Sequence, residues 1–289
     1  MTQRPVQLRR CGPQFRQNRD ATTLGKAVQP LAGDPPRAAR PCSGALRTPH
    51  HRFREVRGQD TRRLRVVAEG IAGASAIAFT ILLSPLLRPW YRRWGATLAE
   101  VASRLPGDGL VPHPRSELTL ATTIKAPAAA VWPWLLQLGC QRGGWYSYDL
   151  LDNGGCPSAD RVLPQFQRLE VGDIVAAVPS GKFGFSVAAI AAGRALTLAG
   201  TLDTRTGQPA NPAQPGLDAH FSGDQTFAIE PLENGHSRFL FRMRTDWNHS
   251  TLNTLIYRGI LEPVSFVMGR KMLINIKRRA EYRASRRAA

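Results

Sequence analysis

The chain has 289 residues, 43% of them hydrophobic, which excludes a miniprotein and a wholly disordered polymer and allows one domain with additional segments or two small domains. The net charge of +18 lies at the two ends: residues 1–65 carry 15 Lys and Arg against 4 Asp and Glu, and residues 270–289 carry 8 against 1. Residues 94–269 carry 13 against 15, which argues against a globular body built to bind nucleic acid.

Residues 1–63 are predicted to form a disordered basic tail. They are rich in Arg, Pro, Gln and Gly, and their isolated hydrophobic residues follow neither a 3.6-residue nor a two-residue period. Such a segment cannot bury enough apolar surface to offset the entropy lost on ordering.

Residues 64–89 are predicted to form a transmembrane or membrane-associated helix. Within them, residues 70–87 are 18 uncharged residues with arginines on both sides, which just meets the length needed to span a bilayer. Trp90 and Trp94 follow at once, as in an aromatic belt at headgroup depth. The alternative is a helix that is buried or lies at the interface, since small residues dominate the segment and Pro85 disrupts its last turn. The excess of arginines before the segment favours a cytoplasmic N-terminus.

The remaining sequence predicts a strand, a helix, several more strands and a final helix. Alternating apolar positions and turn residues place strands at 117–125, 171–179, 183–193, 195–203, 224–233 and 237–246. A short apolar helix is predicted at 128–139 and a surface loop at 204–222. Apolar positions at steps of three and four predict a long amphipathic helix over 252–282, kinked around Pro263. We assign its apolar stripe to core packing.

This order predicts an α+β fold, and its ordered motifs resemble a known family. The motifs are WGAT at 94–97, LPGDGLVP at 105–112, APAAAVWPWL at 126–135, QRGGWYSYD at 141–149, SADR at 158–161 and the stretch 266–281. They resemble the SRPBCC (START-like, polyketide cyclase/dehydrase-like) superfamily, in particular a bacterial subfamily whose members mostly have no assigned activity. The resemblance implies a helix-grip domain over residues 94–284, in which a curved antiparallel sheet wraps around the C-terminal helix.

The resemblance also implies an elongated apolar cavity that holds a lipid, sterol, quinone or polyketide. Two positions depart from the subfamily pattern. Gly109 replaces an acidic residue, and Cys156-Pro157 stands where relatives more often have an apolar residue and His. Any chemistry that this His performs in relatives is therefore lost here.

The candidate ligand-binding residues are aromatic or apolar. Rings that carry hydroxyl groups suit an apolar ligand that needs a few oriented hydrogen bonds. The candidates are Trp145, Tyr146, Tyr148, Phe227, Phe241 and Met268. Trp145 and Tyr148 can equally plug one end of the sheet, and the last three are core residues unless a cavity is present.

The candidate catalytic residues are Asp149, Tyr146, Asp160 and Arg161. Asp149 with Tyr146 can act as general acid and base toward a carbonyl. The alternative, which we favour, is an ion-pair network of Asp149, Asp160 and Arg161 that holds this region closed.

Neither a metal nor a nucleotide cofactor is expected. The four cysteines and six histidines show no metal-ligand spacing, and no phosphate-binding glycine motif is present.

Two functions from different classes remain. The first is membrane-associated binding of a hydrophobic small molecule in the helix-grip cavity, in a protein held by one helix in a bacterial plasma membrane. The second is a cyclase- or dehydratase-like enzyme that acts on such a ligand through Asp149 and Tyr146. Binding of nucleic acid through the basic ends is a weaker third possibility, and the oligomeric state is open.

Overall fold

The computed structural model describes residues 52–210 and 220–288, and it confirms the α+β prediction. Six antiparallel strands form one sheet in the order β1-β6-β5-β4-β3-β2. The strands are Ser116–Ile124 (β1), Ile174–Ala176 (β2), Gly184–Ala191 (β3), Ala195–Asp203 (β4), His220–Pro231 (β5) and Ser237–Trp247 (β6). The helices are Arg52–Leu82 (α1), Ser84–Tyr91 (α2), Leu98–Ala102 (α3), Ala128–Leu136 (α4), Asp149–Asp152 (α5), Thr251–Ile256 (α6) and Glu262–Ala288 (α7), with a 3-10 turn at Pro164–Phe166.

The predicted strands are all present, with two differences in length. The strand predicted at 171–179 is reduced to β2, because Gly172 adopts a φ of 98° and leaves the extended conformation. The strand predicted from 224 begins at His220, because Phe221 pairs with Trp247 of β6 and stacks on Tyr257 at 4.8 Å. The end of the predicted surface loop is therefore strand, and residues 211–219 lie outside the described residues.

The C-terminal helix changes its pitch before Pro263, where the sequence predicts a kink. Residues Tyr257–Leu261 form a π-helical turn, and the backbone N–H of Glu262 bonds to the carbonyl of Tyr257. Proline cannot accept the usual α-helical geometry because it lacks an N–H and clashes with the preceding turn. The π-helical turn accommodates this and lets α6 and α7 run on as one helical segment.

The inner face of the sheet packs against α4 and α7 to form the main core. Phe227 and Phe241 are buried there with ring centroids 5.2 Å apart. A β-carbon at Gly269 of α7 would lie 2.9 Å from the Phe241 ring and 3.2 Å from Leu120, so the helix sits close to the sheet at this point. The glycine is needed because any side chain there would push α7 away.

The outer face of the sheet is covered by the segment that holds the WGAT and LPGDG motifs. Arg242 of β6 is 2% exposed, and its guanidinium uses all five N–H groups. The acceptors lie 2.7–3.1 Å away and are the carbonyls of Glu100, Val101 and Ser103, the Asp108 carboxylate and the Thr119 hydroxyl. Arg242 therefore holds the end of α3 and the following loop on the sheet.

Two sequence predictions about the N-terminal part need correction. Residues 52–63 belong to α1 rather than to a disordered tail, since good helix formers such as Arg and Glu allow the helix to extend back from the apolar segment. The predicted helix 64–89 is divided into two helices, because the helical conformation is interrupted at Leu83, just before Pro85. The rest of the predicted tail, residues 1–51, lies outside the described residues.

Replacing Arg242 tests how strongly this residue holds α3 and the following loop on the outer face of the sheet. We expect Arg242→Met to lower the free energy of unfolding by about 3–5 kcal/mol, because it removes all five hydrogen bonds of the guanidinium, including its ion pair with Asp108, and leaves several carbonyls without this donor. Denaturant unfolding measures this. The control Arg194→Met, at an exposed position, should change the value by no more than about 0.5 kcal/mol. Equal effects of the two substitutions would contradict this role of Arg242.

Candidate functional site

Tyr146, a candidate for both ligand binding and catalysis, is buried in a polar network. Its side chain is 1% exposed, and its hydroxyl accepts a hydrogen bond from Gln137 Nε2 at 2.6 Å. Its ring lies against Arg279, whose guanidinium carbon is 4.9 Å from the ring centroid, and its carbonyl accepts from Asn275 at 2.9 Å. Burial raises the pKa of Tyr146 to about 12. The hydroxyl thus stays protonated at neutral pH and is covered by protein.

Asp149 closes the loop that follows Tyr146. Its Oδ1 accepts from the Ser158 hydroxyl at 2.5 Å, and its Oδ2 accepts from the Ser158 backbone N–H at 2.9 Å. The same Ser158 hydroxyl oxygen accepts from the backbone N–H of Tyr146 at 3.1 Å, at a residue with a φ of 56°. Asp149 therefore stabilises a strained turn through Ser158.

Asp160 and Arg161 do not join this network. Asp160 is exposed and lies 3.5 Å from Arg62 of α1, and the Arg161 side chain is exposed as well. The expected network of Asp149, Asp160 and Arg161 is wrong in its membership, because Asp160 and Arg161 lie at the surface and Asp149 binds Ser158 instead. The catalytic role of these residues stays a prediction.

The predicted ligand-binding residues fall into separate places. Trp145 packs on Phe185, with ring centroids 6.2 Å apart. Tyr148 faces α1, where a β-carbon at Gly73 would be 2.7 Å from its ring. The carbonyl and sulfur of Met268 accept from the Ser147 hydroxyl at 3.1 and 3.4 Å. The structure brings Phe227 and Phe241 together in the main core but does not gather the six residues around one cavity.

A second buried network surrounds Glu262, which sequence reasoning missed. Arg88 of α2 donates to both carboxylate oxygens, from Nε at 2.9 Å and from Nη2 at 3.1 Å. The hydroxyls of Tyr91 and Ser116 donate to the same carboxylate, and Ser84 lies 2.9 Å from the Tyr91 hydroxyl. The only sequence signal was an acidic residue beside a helix proline, because Arg88 is 174 positions away.

Charge and burial shift the pKa values in this network. The hydrogen bonds that Arg88 donates to Glu262 raise the pKa of Arg88, and burial raises the pKa of Tyr91 to about 12. Because the single proton of Tyr91 goes to Glu262, Ser84 must donate to Tyr91. The network is therefore fully directed and holds α2, β1 and the start of α7 together.

A groove of about 1090 Å³ lies beside this network, between the α1–α2 junction and α6 with the π-helical turn. Its wall is mainly apolar, with hydroxyl groups and three nitrogen-bearing side chains. The lining residues are Ile81, Ser84, Pro85, Arg88, His249, Ser250, Thr251, Thr254, Leu255, Arg258, Gly259 and Ile260. None of the described residues that line this groove carries a carboxylate.

The space between the sheet and the start of α7 is much smaller. A pocket of about 10 Å³ lies there, bordered by Met243 on β6, by Tyr257 and Leu261 of the π-helical turn, and by Glu262. This is roughly the space of one water molecule. The large groove thus lies on the outer side of the Glu262 network, and the small pocket lies on its inner side.

Among the described residues, no group of three or more His, Cys, Asp and Glu side chains lies close enough to hold a metal ion.

The pairing of Asp149 with Ser158 can be measured by a double-mutant cycle. We expect Asp149→Ala and Ser158→Ala to be coupled by about 1–3 kcal/mol in the free energy of unfolding, because each removes the partner of the other. Arg62→Ala with Asp160→Ala is the control cycle, and its exposed pair should be coupled by no more than about 0.5 kcal/mol. Additive effects in the first cycle would show that the contact does not stabilise the fold.

The Glu262 network predicts a large effect of a nearly isosteric change. We expect Glu262→Gln to lower the free energy of unfolding by about 3 kcal/mol or more, because Arg88 loses the charge of the buried carboxylate with which it pairs. Glu230→Gln, at an exposed position on β5, should be close to neutral. If the two variants unfold at the same denaturant concentration, Glu262 does not hold the helices together.

No protein-family model matches the chain, and no curated protein matches it significantly. Solved structures that it resembles include a hypothetical protein from Helicobacter pylori, with 12% identity, a TM-score of 0.38, and coverage of 62% of this chain and 96% of that one. A protein from Mesorhizobium loti has 12% identity and a TM-score of 0.33, and the match covers 58% of this chain and 98% of that one. The Zhui aromatase/cyclase from Streptomyces sp. R1128 has 12% identity and a TM-score of 0.29, and the match covers 58% of this chain and 94% of that one.

At TM-scores of 0.29–0.38 and 12% identity, neither the fold nor an activity is taken from these structures. The architecture itself is the stronger observation. Six antiparallel strands pack on a long C-terminal helix, in the order that the sequence motifs predict. This architecture fits the helix-grip fold that the resemblance of the sequence motifs implies.

Proposed function

We propose that this protein binds a hydrophobic small molecule at a membrane surface, in the groove between the α1–α2 junction and α6. The observation that carries the proposal is the groove itself. Its volume of about 1090 Å³ is at the upper end of the range for sites that enclose small ligands. It differs from the cavity expected from the family resemblance, which lies between the sheet and the C-terminal helix.

The composition of the groove supports an apolar ligand with a polar end. Ile81, Pro85, Leu255 and Ile260 supply apolar wall, while serine and threonine hydroxyls supply a few hydrogen-bonding positions. Arg258 donates only to the carbonyl of Arg115 among the contacts of the described residues, so most of its donors remain for a ligand. A ligand with a weakly polar or anionic end fits this lining better than a cation does.

The interior between sheet and helix is narrow at two places. Gly269 lies close to Phe241, and the pocket of about 10 Å³ at the start of α7 has room for roughly one water molecule. Phe227 and Phe241 are better explained as core residues. The alternative enzymatic function through Asp149 and Tyr146 has less support, since both residues are occupied by hydrogen bonds within the fold.

A groove-filling substitution tests the proposal. A β-carbon at Gly259, which lines the groove, would meet only Leu255, at 3.8 Å, so a side chain can start there without a clash at its β-carbon. We expect Gly259→Phe to weaken the binding of N-phenyl-1-naphthylamine, a neutral apolar dye, by about tenfold or more, because the ring takes the place of ligand in the groove. Fluorescence titration of the full chain measures the affinity.

Gly109→Phe is the matched control. It adds the same ring at a glycine with nothing within 4 Å of its added β-carbon, in the loop on the outer face of the sheet. This variant should bind the dye like the unmodified protein. Saturable binding that is equal in all three proteins would remove the groove as the site, and the absence of saturable binding would remove the proposed function.

A further inference from the structure

The α1 and α2 helices carry two different faces. One face packs on the domain through small residues, including Gly70, Gly73 and Thr80. The opposite face, here called the outer face, consists of large apolar side chains that are 46–78% exposed. Its members are Leu64, Val67, Ile71, Phe79, Leu82, Leu86 and Trp90. At 100° per residue these seven positions share one side of the helical path.

The face of α1–α2 opposite the outer face is held on the domain by three ion pairs. Arg62 lies 3.5 Å from Asp160, Glu69 lies 3.2 Å from Lys271 of α7, and Arg88 binds Glu262. Between the ion pairs of Glu69 and Arg88, a β-carbon at Gly73 would contact the Tyr148 ring. These contacts run beside Thr61–Leu82, the one helix of the described residues long and apolar enough to cross a membrane, of which only 17% is buried.

Packing on this domain and spanning a bilayer exclude each other. A spanning helix would carry Lys271, Glu69 and the neighbouring polar backbone of the domain into the hydrocarbon, where charges and unpaired backbone groups are costly. The α1–α2 segment can therefore contact a membrane only through its outer face. A helix with an exposed apolar stripe on one side, and with ion pairs to a water-soluble domain on the other, can lie in the plane of a membrane surface.

We infer that the α1–α2 segment lies in the membrane plane, with its outer face in the lipid and the domain resting on the surface. Three features favour lipid over a second copy of the chain. Exposed arginines flank the stripe, among them Arg63 and Arg93, and attract anionic headgroups. Trp90 sits at its end, as is common at headgroup depth. Across the groove, Leu255 and Ile260 are 68% and 50% exposed and extend the apolar surface.

This arrangement rests on the membrane association proposed above but not on the identity of the ligand. It turns the groove toward the lipid, because Ile81 and Pro85 line the groove beside Leu82 and Leu86 of the outer face. A hydrophobic molecule dissolved in the bilayer then reaches the groove without crossing water.

Vesicle binding by the folded full-length protein is the first test. The probe is large unilamellar vesicles of phosphatidylethanolamine and phosphatidylglycerol, added after purification. The protein should float with the vesicles and be released by alkaline carbonate. Leu82→Asp with Leu86→Asp should reduce the bound fraction by about tenfold or more, since two apolar anchors are lost and two charges oppose the anionic lipid. Val171→Asp, at a residue 65% exposed in the loop before β2, should bind normally.

Depth-dependent quenching separates lying flat from spanning. Fluorophores are attached through Ile71→Cys and Leu86→Cys, with the unmodified protein labelled in parallel as background. In-plane binding places both at the same shallow depth, whereas a spanning helix separates them by about 22 Å along its axis. Different depths with resistance to carbonate would overturn the in-plane inference while retaining membrane association.

The absence of flotation would overturn both the inference and the membrane part of the proposed function. Sedimentation that shows a dimer, lost with the double aspartate variant, would assign the outer face to a second copy instead. Binding of the apolar dye in the groove is measured without vesicles and is therefore independent of these outcomes.

Discussion

The carboxylate of Glu262 is the point on which the arrangement of the helices depends. It is 4% exposed, and it receives hydrogen bonds from α2, through Arg88 and Tyr91, and from β1, through Ser116. Burying such a charge is costly unless every oxygen is satisfied, so the partners must stay where they are. The same bonds fix the end of α1–α2 against the start of α7. The groove exists because this junction keeps α2 at a fixed distance from α6.

Proline and glycine set the local geometry around that junction. The π-helical turn before Pro263 turns the α6 residues toward the groove, and Gly259 within it keeps the groove open. On the other side, Gly70 and Gly73 allow α1 to approach Leu150 and Tyr148. Small residues at these points permit close packing on one side while the large apolar residues remain on the other. The apolar segment of α1–α2 thereby has one side that faces the protein and one side that faces outward.

Much of the fold follows from local sequence patterns. The strand 195–203 is found at the predicted residues, and the order of strands and helices agrees with the prediction, because alternation and turn residues are local signals. The polar networks could not be predicted in this way. Arg242 has the spacing of a solvent-facing strand residue, and only the long-range contact with residues 100–108 buries it. Arg88 and Glu262 are likewise joined by packing rather than by any motif.

The candidate site shows the same division. Tyr146 and Asp149 drew attention because aromatic and acidic groups cluster in QRGGWYSYD, yet this density reflects a closed turn that needs many hydrogen bonds. The groove is lined by ordinary serine, threonine, leucine and isoleucine residues from segments more than 150 positions apart, and it therefore has no signature in the sequence. A site formed by the docking of two helices on a domain becomes visible only once the docking is known.

We propose above that this protein binds a hydrophobic molecule. The most direct measurement is native mass spectrometry of the full-length protein isolated from bacterial membranes, followed by organic extraction and identification of what it carries. We expect one apolar molecule per chain, with a weakly polar or anionic end. Protein that arrives empty, and that stays empty after incubation with the extracted membrane lipids, would contradict it.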